Sequence, residues 1–328
     1  MNPLAGGAAA ECRATPAAVG SFGGGVLVLR GGALGDFLLT LPAVRALRRA
    51  FSSERIEVVG SVVFGSIALR WGLVDAARRL EDAGLATFFS RGSDLDARWA
   101  SYFASFRVVI SYLSDPDGSF HENLCRAGVR SLIRGPSKPL ESEGPAARQL
   151  AAPLDSLGIT LSPDELGEPF CPWVPGARIA LHPGSGSPHK SWAAANWVTV
   201  AADLQRRFQC QLMVVAGEAE SGRLPEFLRR LEAAGVDHDV LDSRPLPELA
   251  DHLAGCRIFL GHDTGPAHLA SACGVPCLLL FGPTDPAVWA PPGPRVRVLR
   301  APDHCLSSLE IGTIITAASA MLADTLSP

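Results

Sequence analysis

Apolar positions along the chain fall into two alternating patterns: short unbroken runs, and longer stretches with helical spacing. VLVLR (26–30), RIEVVGS (55–61) and RVVISYL (107–113) predict buried strands. FLLTLPAVRALRRAF (37–51) has helical spacing, and Arg45, Arg48 and Arg49 crowd its end, which suits the negative end of a helix dipole. A further helix is expected near 64–71. Strand–helix alternation of this kind predicts a parallel sheet covered on both faces.

The pattern breaks between residues 135 and 177. RGPSKPLESEGP is polar and rich in Pro and Gly. AARQLAAPLDSLGI predicts a helix broken at Pro153, and SPDELGEPFCPWVPGA is again dense in Pro and Gly. This stretch is the expected interdomain linker. Alternation then resumes. RIALHPGSG (178–186) and CQLMVVAG (210–217) predict strands, DHDVLDS a weak one, and CRIFLGHDTG and VPCLLLFGPTDP two more. Helices are expected in SWAAANWVTVAADLQRRF, SGRLPEFLRRLEAAG, LPELADHLAGC and the tail at 307–322. The predicted class is α/β: two Rossmann-like domains with parallel sheets facing a central cleft. The expected divisions are a disordered leader at 1–24, an N-terminal domain at 25–170, a C-terminal domain at 171–306 and a closing helix at 307–328.

Composition narrows the function. A chain of 328 residues with 47% hydrophobic content can build two substantial cores. Its net charge of −4 argues against nucleic-acid binding, though not against a local basic pocket. The leader lacks a basic start followed by an apolar run, so it does not read as a secretory signal. No 18-residue uncharged apolar segment predicts a membrane span. The eight cysteines include no CxxC pair. Free thiols in a reducing cytoplasm are expected, rather than a zinc site or disulfide framework.

Three segments carry candidate chemistry. The first is Arg30-Gly-Gly-Ala-Leu-Gly-Asp36, directly after a strand, where parallel sheets bind ligands. Gly32 and Gly35 allow close approach to the backbone. Asp36 stands at the start of the next helix, and taken alone an N-cap role is its plainer explanation. The glycines fall at 31, 32 and 35, so the dinucleotide fingerprint G-x-G-x-x-G is absent. The second segment is HPGSGSPHKSW (182–192). It approaches a P-loop, but His189 occupies the required second glycine. Ser185 and Ser187 ahead of Lys190 still suggest an anion cradle at a helix start. A lysine on a solvated helix end is the plain alternative.

The third segment is GHDTGPAHLASACGVPCLLLFGPTDP (261–286). Pro266 suits the first turn of a short helix and Gly274 its stop. Thr264 and Gly265 would offer backbone N–H groups at that helix start, while Pro266 offers none. His268 follows Thr264 by four residues, on the same face. Capping accounts for Asp263 and Pro266 but not for His268. Asp263 is expected to bond backbone N–H groups and so hold the loop. Cys273 and Cys277 read as packing.

Together these segments resemble glycosyltransferase family 9, the ADP-heptose:lipopolysaccharide heptosyltransferases. The resemblance rests on GALGDFLLTLPAVRALRRAF, HPGSGSPHKSW, AGEAE and GHDTGPAHLASACGVPCLLLFGPTDP. It implies a GT-B fold, with the acceptor in the N-terminal domain, the nucleotide sugar in the C-terminal one, and a tail helix that often crosses back. It implies an inverting transfer with Asp36 as general base and Lys190 and Ser185 on the donor phosphates. Thr264, Gly265 and His268 would form the diphosphate-binding helix start, and Asp263 matches the acid of that motif. Glu220 is the better match to the ribose-binding acid, with Glu218 the alternative. No bound metal is implied. The implied partners are a nucleotide sugar, ADP-heptose above others, and a lipopolysaccharide core or related surface glycan. Such an acceptor implies a cytoplasmic protein and leaves open peripheral contact with the inner membrane. Trp192-Ala193 replaces the family's Trp-Pro, and residues 75–150 match least, so the acceptor is left open. A nucleotide-sugar epimerase or hydrolase, and a non-catalytic nucleotide-sugar binder, are the alternatives.

Overall fold

The computed structural model describes residues 24–325, so the predicted leader lies almost wholly outside the described residues. In the first unit, strands β1 (Val26–Arg30), β2 (Ile56–Gly60), β3 (Ala76–Arg79), β4 (Val108–Ser111) and β5 (Leu132–Arg134) form one sheet in the order β3-β2-β1-β4-β5. Every pairing is parallel. The helices of this part are α1 (Leu34–Ala50), α2 (Val62–Arg70), α3 (Ala97–Ala104), α4 (Ser119–Arg126), α5 (Ala146–Ala151) and α6 (Pro163–Gly167). β1, β2 and β4 are buried along their whole length, as strands covered on both faces must be. β3 reads AARR and lies at the sheet edge with its last two residues exposed, so no apolar run announced it.

The second unit contains β6 (Arg178–Leu181), α7 (Ala194–Phe208), β7 (Gln211–Ala216), α8 (Leu224–Ala233), β8 (His238–Asp242), α9 (Leu246–Ala254) and β9 (Cys256–His262). The chain continues through α10 (Gly265–Ala272), β10 (Cys277–Phe281), α11 (Pro286–Trp289), β11 (Val296–Arg300) and α12 (Ile311–Asp324). The second sheet is also wholly parallel, in the order β11-β10-β9-β6-β7-β8. Cys273 and Cys277 are fully buried in its core.

The strand order reverses between β1 and β4 in the first sheet, and between β6 and β9 in the second. Loops leaving the carboxyl ends on either side of such a reversal diverge and open a crevice. The loops after β1, β6 and β9 are the three segments with candidate chemistry.

The segment between the sheets clamps the two units together. Arg45, at 8% exposure, donates to the carbonyls of Glu165, Glu168 and Pro169, and its guanidinium lies 4.4 Å from the centre of the Phe170 ring. Phe170 also stacks on Trp71, with ring centres 4.9 Å apart. From Phe170 onward the chain bonds to the second unit: the Phe170 N–H to the Ala272 carbonyl, and the Trp173 ring N–H to that of Cys256. We propose the domain limit there, at residue 170.

The tail helix does not follow the expected crossing to the first unit. α12 packs on α7 and β9, with Ile314, Ala317, Ala318 and Leu322 in the second unit's core. Arg257 fixes its end through the Thr325 hydroxyl and the Leu322 carbonyl. The first helix also starts earlier than predicted, at Leu34, which puts Asp36 in its first turn instead of at its cap.

Replacing Arg45 with Ala removes a buried guanidinium that serves three partly buried carbonyls and covers the Phe170 ring. It is expected to cost about 2–4 kcal/mol, read as a lower urea midpoint.

Candidate functional site

The β1 exit is built around Asp36. Its Oδ2 accepts the Ala33 N–H at 3.0 Å, closing the first turn of α1 from within. Gly32 adopts φ +92°, and a β-carbon there would sit 2.8 Å from that same oxygen. The glycine therefore makes room for the carboxylate. Oδ1 lies 3.6 Å from a guanidinium nitrogen of Arg30, whose side chain is almost fully buried while that of Asp36 is 30% exposed. A buried cation thus backs a partly exposed carboxylate.

Asp263 is the hub of the second unit's site. Lys190 Nζ and the Thr284 hydroxyl both donate to Oδ2 at 2.9 Å. His268 Nε2 lies 3.5 Å from Oδ1. Burial alone would raise the Asp263 pKa. His268 and Lys190 outweigh it and hold the carboxyl down at about 2. The partners of Asp263 are side chains, not the backbone N–H groups expected from the sequence. The reason is the sheet order, which sets the Lys190 loop beside the β9 exit and supplies a cation within reach.

The Lys190 loop is held from below by His262, a residue with no exposed surface. His262 Nε2 accepts the Trp192 N–H at 2.9 Å, and Nδ1 faces the Gly184 carbonyl at 3.2 Å. One neutral imidazole therefore ties down both ends of the loop that carries Ser185, Ser187 and Lys190. Burial pushes the His262 pKa down to about 3. Ser185 is buried, and its hydroxyl accepts the Ser187 N–H at 3.2 Å, while its carbonyl accepts from Arg223 at 2.9 Å. Glu220 is buried and accepts the Gly217 N–H, whereas Glu218 is exposed. A β-carbon on Gly184 would lie 2.1 Å from Glu220 Cγ, so the loop and the acid pack directly together.

The two halves of the site meet at two glycines. A β-carbon on Gly35 would lie 3.2 Å from the His268 ring, and one on Gly265 2.9 Å from the Leu34 side chain. The start of α1 rests on the start of α10, which brings the Asp36 turn up to the Asp263 cluster. The fold thus assembles Asp36, Lys190, Asp263, Thr264, Gly265 and His268 along one seam, with Ser185, Ser187 and Glu220 behind Lys190. Arg30, Thr284, His262 and Arg223 were missed as site residues. A charged residue ending an apolar strand was the available signal for Arg30, and a histidine ending one for His262. A cavity of about 230 Å³ opens beside the β4 and β5 exits, lined by Ser111, Asp115, His121, Arg134 and Ser137 among others. Among the described residues no cluster of three or more His, Cys, Asp or Glu is placed to hold a metal ion. Nor is any helix among them long and apolar enough to cross a membrane.

The sequence model of glycosyltransferase family 9 (heptosyltransferase) matches residues 157–318, which include every second-unit site residue but not Asp36. Lipopolysaccharide heptosyltransferase 1 of Salmonella typhimurium is 30% identical over 129 residues, 38% of each chain. The chain thus spans just over a third of that curated relative. Among solved structures, a glycosyl transferase family 9 protein from Veillonella parvula superposes with a TM-score of 0.71 at 19% identity, covering 91% of this chain and 97% of that one. The E. coli heptosyltransferase WaaC with ADP gives 0.68 at 20% identity, covering 90% and 99%. The iron-containing E. coli glycosyltransferase TibC gives 0.55 at 13% identity, covering 92% and 76%. These likenesses establish the GT-B fold over nearly the whole described chain.

The His262 tie generates a pH dependence. The unfolded chain protonates this residue near its ordinary value of 6.5, and the folded chain only near 3. The unfolded state therefore binds more protons between those values, and stability falls as pH falls through that window. From pH 7 to pH 5 this residue is expected to cost about 2 kcal/mol, and His262→Gln to reduce the drop by about that amount. Urea midpoints of both proteins at the two pH values check this; parallel drops refute it.

Proposed function

We propose, from the match of residues 157–318 to glycosyltransferase family 9, that the chain is an inverting glycosyltransferase of that family. It moves heptose from ADP-heptose to a lipopolysaccharide core or related surface glycan. The observation that carries this reading is the seam between α1 and α10. It sets a partly exposed carboxylate from one unit against a helix start from the other that has the Lys190–Asp263 pair beside it.

In this reading Asp36 takes the proton of the acceptor hydroxyl as that oxygen attacks the anomeric carbon. The bond to the donor phosphate breaks, and its electron pair leaves with the diphosphate. One displacement inverts the centre and needs no protein nucleophile. Negative charge grows on the leaving diphosphate, next to Lys190 and the first turn of α10, where a cation and helix N–H groups stabilise it without reorganising. Asp263 holds Lys190 in place, and Lys190 offsets the repulsion between that acid and the phosphates. Ser185 and Ser187 contribute to the cradle, His268 reaches the diphosphate, and Glu220 accepts from the ribose. Electrostatics of this kind supports metal-independent transfer. A glycolipid acceptor would bring the protein to the cytoplasmic face of the inner membrane.

The test incubates purified protein with ADP-heptose and a heptose-deficient lipid A–Kdo acceptor, and follows transfer and ADP release. Asp36→Ala is expected to lower kcat by about 10²–10⁴. Lys190→Ala is expected to lower it by about 10²–10³. Full activity of Asp36→Ala removes its role as base. ADP release without acceptor points to hydrolysis, and donor binding without turnover to a sensor.

A further inference from the structure

Arg30 ends β1 and is 2% exposed, so its charge is almost wholly removed from water. One terminal nitrogen reaches both ends of the same residue, 3.3 Å from the Asp36 carbonyl and 3.6 Å from Oδ1. The other donates to the Ser137 carbonyl at 3.0 Å. The guanidinium sits 5.9 Å from the centre of the Tyr112 ring, and its Nε is buried without a partner. Ser137 belongs to the loop after β5 and lines the 230 Å³ cavity. Arg30 therefore joins the Asp36 turn to the wall of that cavity.

The carboxylate is held on two sides. Oδ2 is fixed by the Ala33 N–H, and Oδ1 faces Arg30. A planar fork carries the Asp36 and Ser137 contacts on two separate nitrogens held in one rigid plane, which a single ammonium nitrogen does not reproduce. Arg30 keeps its proton throughout. When Asp36 gains the acceptor's proton, the guanidinium still has the carbonyls of Asp36 and Ser137, so its charge is not stranded.

We propose that Arg30 is a positioning residue, which aims the Asp36 carboxylate and couples it to the loop at 135–138. The proposal rests on the reading of Asp36 as base. It goes beyond that reading by assigning a task to a buried residue that does not touch the donor.

The test compares Arg30→Met and Arg30→Lys with the unaltered protein in the transfer assay. Arg30→Met is expected to lower kcat about 30-fold while donor KM and ADP affinity stay within about twofold. Arg30→Lys is expected to recover part of the loss, since it keeps the charge but not the fork. Arg30→Met in an Asp36→Asn background should cost no further activity, because the arginine acts through the carboxylate. Amide exchange across residues 33–36 gives a readout without turnover: about tenfold faster in Arg30→Met and little changed in Arg30→Lys. Unchanged kcat and exchange in Arg30→Met overturn the proposal. So does a rise in donor KM matching the fall in kcat, which marks general loosening, or equal losses in both Asp36 backgrounds. If Asp36→Asn retains full activity, the base reading fails, and the exchange measurement still decides whether Arg30 holds the turn.

Discussion

Two glycines at the starts of α1 and α10 set the closest approach in the molecule's site. Gly35 leaves room for the His268 ring, and Gly265 leaves room for Leu34. Interiors are packed too tightly to absorb an extra carbon without displacement. Side chains at these positions would push the two helix starts apart and separate the groups they carry. The spacing between Asp36 and the Asp263 cluster is therefore a packing property of the backbone, before any ligand enters.

Electrostatics in the second unit follows from the same geometry. A largely buried carboxylate is costly unless it is paired and hydrogen-bonded. Asp263 meets that condition with Lys190, Thr284 and His268. The pairing keeps Lys190 directed while its side chain stays a third exposed. His262 works one layer lower, and each of its nitrogens is committed to backbone at one end of the Lys190 loop. The loop thus owes its shape to a side chain outside it.

Much of this was legible in the sequence. The central strands are unbroken apolar runs, which is how fully covered parallel strands must read. The segments after β1, β6 and β9 stood out because glycines, hydroxyls and charges interrupt apolar patterns there. What stayed hidden was of two kinds. Edge strands such as β3 carry arginines because one side faces water, so no apolar run marks them. Partnerships such as Asp263 with Thr284 and Lys190, or Arg30 with Ser137, depend on sheet order, and a linear pattern does not encode which loops become neighbours. The same limit explains Asp263: an acid before a helix reads as a cap until the lysine 73 positions earlier is seen beside it.

The ring of Phe170 lies between Arg45 and Trp71 of the first unit, and its N–H is bonded to Ala272, the last residue of α10. α10 runs eight residues from that attachment, about 12 Å at about 1.5 Å each, so the Thr264 end is the one farthest from it. A rotation of about 10° about the attachment would move that end by about 2 Å, close to the H···O length of a hydrogen bond. The seam between Asp36 and His268 therefore depends on the clamp at Phe170 holding the orientation of the two units to within a few degrees.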